Sequence, residues 1–184
     1  PNGIDIDVFK PADKIIVRKK LNIPLNNKVI LFPSEDFEGD KRKGGKYLLQ
    51  ALIKLDKKVQ DNLILILMGN SKKTIEKYPF QIVKTGYLKE RKEIAEYYSA
   101  ADIIALPTLA DNLPNTVLES MACGTPVVAF DTGGVKDGVK HLKTGYLAEL
   151  KNTEDLSRGL SLLLKKEEAF LQLHCPNHFL KFSP

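Results

Sequence analysis

Residues 102–130, DIIALPTLADNLPNTVLESMACGTPVVAF, read as strand, loop, helix and strand. The runs 102–107 and 126–130 are short and largely apolar, the pattern of strands buried on both faces. The stretch 114–123 is predicted helical. Pro114 suits its first turn, where a missing N–H has no partner to lose, and Gly124 ends it. A strand, a crossover helix and a second strand imply parallel pairing.

The same alternation extends outward in both directions. Residues 28–33 (KVILFP) and 63–68 (LILILM) read as buried strands, the second stopped by Gly69. Between them, Leu48, Leu52, Leu55 and Val59 recur at helical spacing over 47–59, with Leu49 and Ala51 widening the face. A strand over 80–85 ends at Gly86. A helix over 90–101 carries Ile94, Tyr97 and Tyr98 on one side. A short strand at 145–148 precedes a helix over 153–165 with Leu156, Leu160, Leu163 and Leu164. Residues 1–27 read as extended, then helical, then loop. Repeated strand–helix units with right-handed crossovers predict an α/β fold, a doubly wound parallel sheet. Ligands bind such sheets beyond the carboxyl ends of the strands. The loops that matter therefore follow Pro33, Met68, Gly86, Pro107 and Phe130.

Composition agrees with one globular domain. The chain has 184 residues, 43% of them hydrophobic and 28% charged, which excludes a disordered tail, a coiled coil and a collagen-like chain. The run 63–68 is far short of the ~20 apolar residues that span a bilayer, and no signal-peptide pattern opens the chain. The formal charge of +5 admits an anionic partner without choosing one. Two cysteines, Cys123 and Cys175, are too few for a disulfide scaffold, so a reducing, cytosolic compartment is expected. The chain opens on Pro1, as a piece of a longer protein would.

Two loops carry candidate chemistry. The first holds Asp40, Lys41, Arg42, Lys43, Gly44, Gly45 and Lys46. Glycines beside a helix start allow close backbone approach, and cations add charge-assisted bonds to phosphate. A P-loop is excluded: Gly44 is followed by Gly45, Lys46 and Tyr47, with no hydroxyl for magnesium. A solvated basic loop fits the same residues. The second loop runs from Thr108 to Asn115 and places Asp111 before the 114–123 helix and Glu119 on its second turn. These carboxylates, with the free amides near Asn115 and Thr116, could meet a ligand over the helix start. Equally, Asp111 or Asn112 could serve only as a helix cap and Glu119 as an exposed acid.

The contiguous stretch 111–130 resembles the signature of the family 4 (group 1) glycosyltransferases. Other segments fall in that family's order: Pro1-Asn2-Gly3-Ile4-Asp5 with Phe9, Lys43-Gly44, Tyr98-Ser99-Ala100-Ala101-Asp102, Gly133-Gly134, and Gly145-Tyr146-Leu147. The resemblance covers roughly residues 1–165. It implies the C-terminal, donor-binding half of a GT-B fold, which is Rossmann-like. Residues 1–27 would then lead in from the interdomain linker, 28–165 would form the nucleotide-sugar-binding domain, and 166–184 would be an incomplete C-terminal tail. The N-terminal Rossmann-like domain would be missing.

The resemblance also implies roles. Lys43, with Gly44, would bind the donor diphosphate, and Asp111 would contact the transferred sugar. Glu119 would bond the ribose hydroxyls. Backbone groups in the stretch Leu113, Pro114, Asn115 and Thr116 would hold the distal phosphate. Gly86, Tyr87 and Leu88 would contact the base. The chain lacks the family's arginine five residues before the lysine, and Arg42 is expected to supply that charge. Lys136-Asp137 replaces the usual Pro-Glu, followed by Gly138.

The implied activity is retaining, metal-independent transfer from a nucleotide-diphosphate sugar, as substrate and not cofactor, to an acceptor such as a growing surface polysaccharide or a glycolipid. This half alone is expected to be inactive. The complete enzyme would be cytoplasmic, with peripheral association at the inner membrane face. A GT-B sugar-nucleotide epimerase and a non-catalytic nucleotide-sugar-binding module are the alternatives. No metal site is expected: Asp5-Ile6-Asp7 lies outside a βα unit, and Pro176 interrupts any helix aligning His174 and His178 around Cys175. Cys123 reads as a small core residue. No nucleic-acid partner is expected, because the cations are spread over helix surfaces without aromatic interleaving.

Overall fold

The computed structural model describes residues 3–37, 39–71 and 78–165. Among them, α1 (Lys14–Lys20) leads into β1 (Lys28–Asp36), α2 (Gly45–Ile53), α3 (Lys57–Gln60), β2 (Leu63–Asn70) and β3 (Gln81–Gly86). Then follow α4 (Arg91–Ala100), β4 (Ile103–Leu106), α5 (Asn115–Ala122), β5 (Val127–Phe130), α6 (Val135–Gly138), β6 (Gly145–Ala148) and α7 (Thr153–Lys165). The strands form one sheet in the order β3-β2-β1-β4-β5-β6, and every neighbouring pair is parallel. This is the doubly wound α/β sheet that the alternation predicts. Its order reverses direction between β1 and β4, the point at which such sheets open a crevice.

Period-two alternation sorts the strand residues into two layers. Val29 and Leu31 of β1 face the same core as Ile64, Ile66, Ile104 and Val127, covered by Tyr98 of α4 and Leu118 and Met121 of α5. Ile30 and Phe32 face the opposite core with Leu63, Leu65, Ile103 and Val128, covered by Leu48 and Leu52 of α2 and Leu156 and Leu160 of α7. None of the helices among the described residues is long and apolar enough to cross a membrane.

Several boundaries differ from the sequence expectation. The helix expected over 47–59 is two helices, because the Gln60 side-chain amide donates to the Leu52 and Ile53 carbonyls and so caps α2. Gly69 does not stop β2. The strand bends there, with Gly69 at φ 135° and a register shift against β3, and continues to Asn70. Pro114 stands before the helix in extended backbone, and α5 starts one residue later. The short helix α6 had no counterpart in the sequence reading. The expected tail 166–184 lies outside the described residues.

At the amino end of the sheet, one carboxylate joins three elements. Asp102, just before β4, accepts from the Arg18 guanidinium at 2.9 Å, the Lys14 ammonium at 3.0 Å and the Val29 N–H at 2.7 Å. Arg18 also donates to the Ala100, Leu25 and Asn27 carbonyls. Burial pushes the Asp102 carboxyl up, but Lys14, Arg18 and the Val29 amide more than offset it and hold the group below the ordinary carboxylate range. A depressed pKa contributes stability at neutral pH that is lost as pH falls through the folded-state value. Asp102→Ala leaves the Arg18 side chain, 5% exposed, without its counter-charge. It should cost about 3–5 kcal/mol of stability and flatten the acid limb of the stability profile, read by urea denaturation between neutral and acidic pH. A loss below about 1 kcal/mol would show that the Asp102 carboxylate adds little to the packing and the Arg18–carbonyl bonds that also hold α1.

Candidate functional site

The loops after β1 and β4 meet over the switch point. After β1, Asp40 accepts from the Arg42 N–H through its side chain and from the Lys43 N–H through its carbonyl, winding 41–43 into a single 3-10 turn. Gly44 then adopts φ 74°, and a Cβ there would overlap the Pro107 carbonyl oxygen, so only glycine lets the two loops approach this closely. From the other side, the Leu109 N–H and the Thr108 hydroxyl both donate to the Arg42 carbonyl, at 2.8 and 3.2 Å. The loop after β5 closes the arrangement: Thr132 donates to the Leu109 carbonyl and the Gly134 N–H to the Asp111 carbonyl.

These ties bring Lys43 and Asp111 together. The Lys43 ammonium lies 3.1 Å from Asp111 Oδ2, with the two side chains 35% and 24% exposed. Such a half-exposed pair is worth at most about 1 kcal/mol, so a ligand can part it at little cost. Two chambers flank this point. One, of about 560 Å³, is lined by Ser34, Met68, Tyr87, Leu88, Tyr98, Thr116 and Glu119. The other, of about 490 Å³, is lined by Thr108, Asp111, Asn112, Thr132 and Gly133. Arg42 and Lys43 border both chambers.

The remaining expected residues divide between cleft and scaffold. Thr116 and Glu119, three apart on α5, share the face toward the larger chamber. Nothing caps α5 through a side chain, and an uncapped helix start favours an anion. Tyr87 is exposed and Leu88 half-buried in that chamber, beyond the Gly86 turn at the end of β3. Leu113 turns its side chain into the core instead of the cleft. Pro114 and Asn115 set the start of α5 without lining either chamber.

Arg42 is 75% exposed and forks onto Asp40 through Nε and Nη2, at 3.2 and 3.1 Å. Slight burial pushes the Asp40 carboxyl up, but the Arg42 hydrogen bonds and charge, with Lys43, outweigh it and hold the group low. Asp40 therefore stays ionised and neutralises much of the charge that Arg42 was expected to bring.

Sequence reasoning missed two side chains in the larger chamber. Ser34, at the end of β1, has a buried hydroxyl that meets no hydrogen-bond partner. Tyr98 was expected only to share one helix side with Ile94 and Tyr97, yet its hydroxyl donates to Glu119 Oε2 at 3.2 Å. The available signal was chemical: a buried tyrosine needs an acceptor for its O–H. Burial pushes the Glu119 carboxyl up, and the Tyr98 bond and the Arg91 charge offset this only in part.

Elsewhere, Asp5 of the Asp-x-Asp stretch accepts from the Asp7 and Val8 amides and pairs with Arg91 at 3.6 Å. Burial pushes the Cys123 thiol up to about 12, which makes it inert as a nucleophile. No cluster of metal-ligating side chains occurs among the described residues. His174, Cys175 and His178 lie outside them. A separate cavity of about 300 Å³ sits at the opposite, amino end of the sheet against Asp102 and Thr125, away from all the expected residues.

Comparison with known proteins gives a consistent result. Residues 13–174 match the family described as glycosyl transferases group 1. An uncharacterized glycosyltransferase of Haemophilus influenzae is 33% identical over 154 residues, 81% of this chain and 43% of that protein. The solved structure of the Anabaena protein HepE in complex with UDP and glucose superposes with a TM-score of 0.78 at 21% identity, covering 99% of this chain and 52% of that one. The C-terminal domain of a group 1 family glycosyl transferase from Francisella tularensis gives a TM-score of 0.78 at 20% identity and covers 97% of both chains. The chain thus spans about half the length of the fuller relatives it matches. It belongs to the group 1 glycosyltransferases, and its fold is the C-terminal, Rossmann-like half of their GT-B architecture.

Proposed function

We propose that this domain binds a nucleotide-diphosphate sugar and serves its retaining, metal-independent transfer to an acceptor. The observation that carries the reading is the position of Lys43: its ammonium stands where the two chambers meet. A sugar nucleotide has that shape, with a nucleoside at one end, a sugar at the other and two phosphates between. The larger chamber takes the nucleoside. Glu119 accepts from the ribose hydroxyls there, and the loop from Gly86 through Tyr87 to Leu88 faces the base. The smaller chamber takes the sugar, oriented by Asp111. The diphosphate then lies on Lys43, facing Gly44 and the amides that open α5 near Asn115 and Thr116.

When the glycosidic bond breaks, negative charge grows on the leaving diphosphate. The backbone at Lys43 is already held at that point by the Arg42 carbonyl ties, so little backbone reorganisation accompanies the reaction. The incoming diphosphate competes with Asp111 for the ammonium, which frees the Asp111 carboxylate for the sugar hydroxyls. Lys43 and the α5 amides supply the positive charge that a divalent ion would otherwise bring. UDP is a reasonable first nucleotide to test for binding, since the HepE structure is a complex with UDP and glucose.

The acceptor, a growing surface polysaccharide or a glycolipid, would be held by an N-terminal Rossmann-like domain of the complete protein, working in the cytoplasm at the inner membrane face. Without that domain, nothing positions the acceptor, and positioning accounts for roughly 7–11 kcal/mol of such barriers. The 184-residue chain alone should therefore bind donor but not transfer sugar.

In the complete enzyme, Lys43→Ala should lower turnover by about 10²–10³, the scale of losing one preorganised electrostatic stabiliser. A steady-state rate within twofold of wild type would remove Lys43 from the mechanism. Transfer should also persist in EDTA after exhaustive dialysis. Loss of activity that manganese or magnesium restores would contradict the metal-independent course.

A further inference from the structure

Tyr98 combines two features that packing alone does not require. Its ring is 2% exposed and lies 6.2 Å from the Phe9 ring, centroid to centroid. Phe9 is itself covered by the Arg91 guanidinium, 5.2 Å from its centroid. The Tyr98 backbone is fixed as well, its carbonyl accepting from the Thr125 hydroxyl at 2.7 Å. From this rigid seat the phenol reaches the larger chamber and donates to Glu119 Oε2. Among the described residues, no other side chain hydrogen-bonds the Glu119 carboxylate.

We propose that Tyr98 is a positioning residue for donor binding: its hydroxyl holds Glu119 Oε2 and thereby presents Oε1 to the ribose hydroxyls of the bound nucleotide. The role rests on Glu119 holding the ribose. A glutamate on a helix has three side-chain torsions to order before it can accept two neighbouring hydroxyls. A bond from a phenol that cannot move settles them before the ligand arrives, which lowers the ordering cost of binding. The same bond favours the charged carboxylate, the better acceptor, at a buried position that otherwise disfavours charge. The lead-in segment takes part through Phe9, and the Asp5–Arg91 pair anchors that contact. Tyr98 touches neither the diphosphate nor the sugar in this arrangement, so its effect should be confined to ligands that carry a ribose.

The test is isothermal titration of the full-length protein with UDP, its 2′-deoxy counterpart and inorganic pyrophosphate, with GDP and ADP run in parallel as alternative bases. Tyr98→Phe, Glu119→Gln and the double variant are compared with wild type. Tyr98→Phe should weaken the ribonucleoside diphosphate about 3–10-fold, the scale of one lost hydrogen bond, and leave pyrophosphate unchanged. Its preference for ribo over 2′-deoxy ligand should shrink. In the double variant, the two losses should sum to less than their separate values, because both act through the side chain at 119. Wild-type affinity in Tyr98→Phe, beside a clear loss in Glu119→Gln, overturns the positioning role and leaves the ribose assignment standing. Equal losses for UDP and pyrophosphate, or a melting temperature far below wild type, assign the hydroxyl to the fold and also overturn it. No effect of Glu119→Gln on any ribonucleotide overturns the ribose assignment itself, and the Tyr98 role with it.

Discussion

One backbone oxygen sets the geometry of the cleft. The Arg42 carbonyl accepts from both the Leu109 amide and the Thr108 hydroxyl, and so ties the loop after β1 to the loop after β4 across the switch point. Thr108 is buried, and buried polar groups of this kind cost free energy if left unpaired. The tie also dictates composition around it. Residue 44 must be glycine, because the Pro107 carbonyl occupies the space a side chain would need. With the loops joined, Lys43 meets Asp111 where it borders both chambers.

Charge in the cleft is balanced more closely than the basic composition suggests. Arg42 is forked onto Asp40, and Lys43 is paired with Asp111. Both pairs are part-exposed and worth at most about 1 kcal/mol each to stability. Their consequence lies in binding: Arg42 and Lys43 both stand paired beside the chambers, and under the proposed function a diphosphate would displace Asp111 to reach Lys43. In that proposal, the exchange would couple donor arrival to release of the carboxylate assigned to the sugar. The deep charges differ in kind. Asp102 and Arg18, at the far end of the sheet, hold α1 to the strands and stand outside the cleft.

The sheet was legible because its strands are buried on both faces and therefore read as uninterrupted apolar runs, most clearly over 63–68 and 126–130. The α2–α3 break was not, since Leu55 and Val59 keep helical spacing and the capping contact comes from Gln60, a residue with no helix-stop signature. Lys43, Asp111 and Glu119 stood out through the family resemblance, and in the structure Lys43 borders both chambers, with Glu119 lining one and Asp111 the other. Their partners did not. Asp111 is 68 residues from Lys43, and no local pattern reports a pairing over that distance. Arg42 was counted as a free charge although Asp40, two residues earlier, neutralises it. Tyr98 was read only as sharing one side of α4 with Ile94 and Tyr97, and side-chain periodicity places a ring, not the hydroxyl at its end. Leu113 shows the converse: it lies within the signature yet packs into the core.

The most direct measurement of the Lys43 assignment is the affinity gap between a nucleoside diphosphate and its monophosphate, taken by titration on wild type and on Lys43→Ala. The uracil pair comes first, with the guanine and adenine pairs beside it. If the ammonium at the chamber junction binds the diphosphate, wild type should favour the diphosphate by about tenfold or more, the scale of one charge-assisted hydrogen bond. The gap should close in the variant. Equal affinity for diphosphate and monophosphate in wild type, or an unchanged gap in Lys43→Ala, would mean that Lys43 does not hold the donor.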